Sequence, residues 1–386
     1  MSARGELRRS LALAVGALVV LAVVLELATR ALVPDGYWRH RDATADWQLD
    51  PEIGWVNRPN LDAESRDLDR VLRYRTNPDG LAPAEARCER KRGTLRIMVF
   101  GDSMVVGRSL PQEETYTVRL EARLRERGLE AEVINAGVQG YSTDQALLLL
   151  ERLVPLYRPD VILFGSTSND FGGIEVSNAS GQAKPRFLRI GDALHLVPPQ
   201  IADEIRPSGS GARAWIQRSA FYRALQPRIF TLRARFSSWQ QRSLMGLMLE
   251  VYSDPAALEQ IDWPLFSALV ERMQRSSKAA GARFFLFSHP ELAEVWPPYI
   301  EKIRQELGPQ ILRYEPLAVQ RRAELAAREV GVEFIPVAPR FREQTARGPF
   351  HLIPYDGHLN AAGHQLLAEV LADALLDRGV LVPPRE

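Results

Sequence analysis

The sequence predicts an α/β protein, a three-layer α/β/α sandwich of five parallel strands with helices on both faces. Three observations carry this. From about residue 95 onward, short apolar runs alternate with amphipathic stretches of helical length, the pattern of βαβ units around a buried parallel sheet. Three of these runs end in polar loops, "GDS", "AGVQGYST" and "STSND", where the sites of such sheets gather. A chain of 386 residues, 46% hydrophobic and 25% charged, suits one elaborated domain with an N-terminal appendage.

The appendage comes first. After Arg4, Arg8 and Arg9, the segment from Leu11 to Leu25 is apolar throughout, and "ELATRALV" extends it to Val33 with only Glu26 and Arg30 charged, an i,i+4 pair. About 23 helical residues at roughly 1.5 Å each reach about 35 Å, enough for a bilayer. Residues 10–33 are therefore expected to be a transmembrane signal anchor, with 1–9 cytoplasmic and the remainder on the extracytoplasmic, periplasmic side. A cleaved signal peptide would begin alike, but no clean Ala-x-Ala site follows. Residues 34–94, rich in Pro, Asp, Asn and Arg, read as a linker and an irregular lead-in with a turn at "NPDG", 77–80.

The domain is expected over 95–380. Its elements are strand "RIMVF" (96–100), a helix near 115–127, strand "AEVIN" (131–135), helix "TDQALLLLERLVPLY" (143–157) and strand "DVILFG" (160–165). An insertion at about 171–280 interrupts the alternation. It holds a hairpin candidate, 187–197, around Gly191-Asp192, then helical stretches at 211–250 and 255–278. The pattern resumes with "ARFFLFS" (282–288), helices around 297–330, strand "VEFIPVA" (332–338) and a last helix from Ala361 to Arg378.

Composition removes some function classes. A formal net charge of +1 offers no field to attract nucleic acid, and the only lysines are Lys91, Lys184, Lys278 and Lys302. Cys88 is the sole cysteine, so neither an intrachain disulfide nor a cysteine-rich metal site is available.

Two residues stand out chemically. Ser103 follows the first strand in "GDS", a position that is either a presented nucleophile or a turn in which Asp102 bonds backbone amides. His358 in "YDGHLNAAGH" lies just before the last helix, which Asn360 can cap, and Asp356 is near enough to hold its imidazole in one tautomer. A strand-end serine, a loop histidine and a neighbouring acid form the pattern of a general base activating a hydroxyl. His364 is expected to pack or cap, and His40, His195, His289 and His351 lack an acid–serine context. Acyl transfer also needs donors for the developing oxyanion. Asn169 in "STSND" and the N–H groups of Gly140 and Ser103 are the candidates; otherwise Asn169-Asp170 is an ordinary turn pair and Gly140 a positive-φ residue.

These four blocks in this order resemble the SGNH hydrolases, also called GDSL esterases and lipases. The resemblance spans roughly 95–378, interrupted by the insertion. It implies a flavodoxin-like sandwich, with Ser103 as nucleophile, Gly140 and Asn169 as oxyanion donors, and His358 as base with an acidic partner. Two positions depart from the family pattern. Thr167 stands where the third block usually has glycine, and Asp356 precedes His358 by two residues rather than three. The shorter spacing resembles that of membrane-associated polysaccharide O-acetyltransferases of the wider superfamily. The apolar N-terminus, "DPEIGW" near 50 and "TNPDG" near 76 also resemble membrane-anchored bacterial SGNH proteins.

The expected function is thus a membrane-anchored serine ester hydrolase acting on an O-acyl ester, acetyl included, through Ser103, His358 and Asp356, with no metal or cofactor. Two alternatives remain: an O-acyltransferase modifying an envelope or extracellular polysaccharide, and a noncatalytic glycan-binding module on the same fold. The insertion is expected to shape the substrate cleft. Its aromatics Trp215, Tyr222 and Trp239 could stack on sugars or belong to the core.

Overall fold

The computed structural model describes residues 3–32, 46–67, 70–107, 110–179, 182–199, 219, 221, 258–301, 315, 317–352 and 357–380. Helix α1 (Ala3–Leu32) precedes the domain. The sheet is built from β1 (Leu95–Gly101), β2 (Ala131–Gly137), β3 (Val161–Ser166), β4 (Arg283–Ser288) and β5 (Glu333–Ile335). All neighbours pair parallel in the order β5-β4-β3-β1-β2, the flavodoxin-like arrangement.

Both faces of this sheet are covered. Ile97 and Val99 of β1 enter one core while Met98 and Phe100 enter the other, and Leu163/Phe164 and Phe285/Leu286 divide likewise. Because consecutive side chains point to opposite faces, a strand buried on both sides reads as one continuous apolar run. On one face α3 (Tyr116–Glu126) packs against α8 (Ala361–Asp377). On the other, α6 (Trp263–Ala279) lies between α4 (Thr143–Tyr157) and α7 (Ala318–Glu329). One-turn helices α2 (Ser103–Val106) and α5 (Ser168–Gly173) leave the ends of β1 and β3.

The expected hairpin forms, Arg186–Ile190 against Ala193–Val197, turning at Gly191 with φ +61°. The expected strand over 332–338 is shorter, because the chain turns into a helix over Ala338–Glu343. Apart from residues 219 and 221, the helical stretch expected at 211–250 lies outside the described residues, as do Trp215, Tyr222 and Trp239.

The lead-in is not irregular. Trp47–Asp50 pairs antiparallel with Gly54–Asn57, and Asp62–Asp67 with Arg70–Arg75. Trp47 and Trp55 stack and are buried in the main core, the long-range packing that makes structure of a stretch without periodicity. The "NPDG" turn closes with Gly80 N–H donating to Asn77 O at 3.0 Å.

The expected transmembrane anchor over 10–33 is not borne out as a spanning segment. Among the described residues no helix is long and apolar enough to cross a membrane. Side chains of α1 are described only at 13, 14, 16, 17 and 19–31. Leu13, Val19, Val20, Leu21, Val23, Val24 and Leu27 are exposed, and Glu26 accepts from Arg30 at 2.8 Å.

Candidate active site

The strand order places a switch point between β1 and β3, so the loops that leave their carboxyl ends lie side by side. Ser103 opens α2 there. Gly101, the last residue of β1, has φ +151°, and a Cβ on it would lie 2.5 Å from Gly165 O, so only glycine lets β1 approach β3 this closely. Buried Asp102 caps the turn by accepting from Met104 N–H at 2.9 Å. Asn135, from inside β2, donates to Val105 O at 2.6 Å and accepts from Gly137 N–H at 2.9 Å, fastening the nucleophile turn to the neighbouring strand. A polar residue within the run "AEVIN" is the only sequence sign of this.

His358 arrives from the opposite end of the domain. Its Nε2 lies 2.8 Å from Ser103 Oγ, although 255 positions separate them. The loop that delivers it is sewn to 349–352. Leu352 N–H donates to His358 O, and Asn360 caps α8 through Gly363 N–H while its amide donates to Pro349 O and His351 O. For Ser103 Oγ to donate its proton to Nε2, the neutral imidazole must carry its own proton on Nδ1. Asp356 lies outside the described residues.

Gly140 sits in the turn after β2 with φ +78°. The lead-in holds this turn: Trp55 Nε1 donates to Gln139 O at 3.1 Å, Tyr141 Oη to Trp55 O at 2.5 Å, and Asn57 Nδ2 to Gly137 O at 2.8 Å. "DPEIGW", which carries no chemistry of its own, is thereby a brace for the second loop. Asn169 is the second residue of α5; its side chain is outside the described set. The residue before it is held from β4's loop, where Glu291 accepts from both the N–H and the hydroxyl of Ser168 at 2.6 and 3.1 Å. Nothing in the sequence pointed to Glu291.

Three buried polar groups tie the two loops beside the switch point. Thr167 Oγ1 is 2.9 Å from Asp102 Oδ2 and 3.2 Å from Asp170 Oδ2, and Thr167 N–H donates to Asp170 Oδ2 at 2.7 Å. Burial, reinforced by the negative charge of Asp102, pushes the Asp170 carboxyl well above the usual carboxylate range. Behind them, Lys184 from the insertion is fully buried against Asp144 at 2.5 Å and also donates to Gly173 O and Val176 O.

His364, His289 and His351 behave as structure. His364 Nδ1 accepts from Tyr116 N–H at 2.9 Å and its ring stacks on Tyr116; burial drives it down to about 3, so it stays neutral. His289, buried beside Phe287, is driven down to about 4 by the same cause. His351 bonds Pro290 O, and His40 lies outside the described residues. Among the described residues no three His, Cys, Asp or Glu side chains gather as metal ligands.

Comparison with known proteins finds the following similarities. An acetyl xylan esterase, AlAXEase, aligns over 72% of this chain and 99% of its own with 13% identity and a TM-score of 0.40. A GDSL-like lipase from Parabacteroides merdae aligns over 75% and 98% with 14% identity and a TM-score of 0.39. An arylesterase of Vibrio mimicus is 32% identical over 75 residues, which cover 19% of this chain; the chain spans only 38% of that relative's length. The family model of the GDSL-like lipases and acylhydrolases matches residues 99–366, from within β1 into α8 and so through Ser103 and His358, and the chain therefore belongs to that family.

Proposed function

We propose that the protein is a serine ester hydrolase acting on O-acyl esters. One observation carries the reading: the 2.8 Å contact between Ser103 Oγ and His358 Nε2, set at the switch point of the sheet. In the proposed cycle His358 takes the hydroxyl proton as Oγ bonds to the ester carbonyl carbon. The oxyanion is held by the Asn169 side chain and the N–H groups of Gly140 and Ser103. Collapse expels the alcohol, which receives the proton from His358. Water, deprotonated by His358, then attacks the acyl-enzyme, releases the acid and restores Ser103. Asp356 is proposed to orient the imidazole.

The test is a hydrolysis screen from acetyl to long-chain esters, with aryl esters included because of the arylesterase relative, using chain lacking residues 1–34. Hydrolysis that disappears in Ser103→Ala, together with loss of fluorophosphonate labelling, is the expected result. Folded protein that neither hydrolyses nor labels would leave the glycan-binding alternative standing. The two-residue spacing of Asp356 and His358 favours a second acceptor, a polysaccharide hydroxyl in place of water. Acyl-glycan, rather than mainly free acid, from an acetyl-ester donor with a glycan acceptor would select that transferase.

The exposed apolar side chains of α1 and the arginines before them support association with the surface of the cytoplasmic membrane. Full-length chain that remains soluble after cell breakage would refute it.

A further inference from the structure

Thr167 occupies the position at which the family pattern has glycine, and its side chain is what a glycine lacks. Its hydroxyl lies within hydrogen-bonding distance of two carboxyl groups, 2.9 Å from Asp102 and 3.2 Å from Asp170. All three residues are buried, at 0%, 4% and 0% exposure for Asp102, Thr167 and Asp170. A hydroxyl has one proton to give, so it serves one carboxylate and can only accept from the other. The arrangement is satisfied when Thr167 donates to Asp102 and Asp170 keeps its proton and donates to Thr167. The Asp170 environment agrees. Its Oδ1 is buried without a partner among the described residues, a heavy cost for an ionised carboxylate, and burial beside Asp102 pushes this carboxyl well up. Asp102 in turn accepts Met104 N–H, which belongs to the Ser103 turn, while Asp170 accepts Thr167 N–H at the start of the Asn169 helix.

We propose that Thr167 is a positioning residue whose hydroxyl joins the nucleophile turn to the oxyanion helix through Asp102 and Asp170, fixing Ser103 and Asn169 relative to each other. The inference rests on the hydrolase reading above for its kinetic consequence but not for the tie itself. It also turns the departure at 167 from a weakness of the family pattern into a substitute for it, since the loop that glycine would shape by backbone freedom is held here by a side chain.

The experiment compares wild type, Thr167→Val, which keeps the shape and removes the hydroxyl, and Thr167→Ser, which keeps the hydroxyl. It reads amide hydrogen exchange and ester kinetics. A hydroxyl bound to a charged partner accounts for about 10- to 100-fold in an equilibrium. Exchange in both 102–107 and 167–173 should therefore quicken by about that factor in Thr167→Val, with kcat falling comparably and KM little changed; Thr167→Ser should restore both. A merely structural threonine would not give that split or that rescue. Unchanged exchange in either segment of Thr167→Val, or a Thr167→Ser as impaired as Thr167→Val, would overturn the proposal. Should Thr167→Val fail to fold, Thr167→Ala carries the same readouts and the same two refuting outcomes. Wild type inactive on every ester, or Ser103→Ala still active, would instead overturn the hydrolase reading and leave the exchange result to decide the tie.

Discussion

Replacing Lys184 by methionine isolates a fully buried ion pair outside the proposed catalytic residues. The ammonium and the Asp144 carboxylate are both at 0% exposure, and all three ammonium protons are used: on Asp144 Oδ2 at 2.5 Å, Gly173 O at 3.0 Å and Val176 O at 3.2 Å. Methionine preserves most of the stem's volume, so packing is nearly conserved and the charge is what disappears. Asp144 keeps Ser142 Oγ–H and Gln145 N–H as donors, each at 2.8 Å, but loses its cation. Breaking one side of a buried pair typically costs about 3–5 kcal/mol, mostly for the stranded partner. Burial already raises the Asp144 carboxyl against the opposing pull of Lys184, so without the lysine it should take up a proton, and the deficit should shrink as pH falls. Urea unfolding of wild type, Lys184→Met, Asp144→Asn and the double variant measures this as a cycle. The double variant should be less destabilised than Lys184→Met alone, since it leaves no unpaired charge. A Lys184→Met loss below about 1 kcal/mol, or a double variant no better than the sum of the singles, would refute the argument.

Ser103→Ala should abolish fluorophosphonate labelling and reduce ester turnover by about 10³-fold or more, with His358→Asn falling comparably because the two act as one unit; additive losses in the double variant would contradict that. Asn169→Ala should reduce kcat by about 10²–10³-fold with a smaller change in KM, and a pure KM effect would remove it from the oxyanion site. Glu294, pushed up to about 8 by burial and by Glu291, retains its proton in the fold after the unfolded chain has lost it. Wild-type stability should therefore decline by about 1.4 kcal/mol per pH unit from roughly 4.5 toward 8 on this account. Glu294→Gln should remove that decline, and a stability difference between the two that is flat from pH 5 to 8 would count against it.

Much of the domain was legible because burial on both faces writes itself into local sequence. The runs around Ile97, Val133, Ile162 and Phe285 are strands buried on both sides, and the stretch from Thr143 to Tyr157 is the helix its periodicity predicts. Ser103 and His358 were legible as chemistry because each sits at an element boundary with a capping neighbour, Asp102 and Asn360. Other parts were not. The lead-in shows no alternation, yet Trp55 buries itself against the Gly140 loop, and Glu291 carries no local mark of the residue it holds. Lys184 reads as a surface residue until Asp144 is brought to it from forty positions away.

The amino-acid sequence by itself determined which segments enter the core, which ends turn polar, and which hydroxyl and imidazole are available, since those follow from side-chain polarity at spacings of two and of three to four residues. Only the tertiary structure decided that β1 lies between β2 and β3, so that loops distant along the chain lie side by side, and that the Thr167 hydroxyl falls between two carboxyl groups. Strand order and buried polar pairing depend on packing between elements, and the energy of that packing resides in pairs of residues far apart rather than in any local pattern.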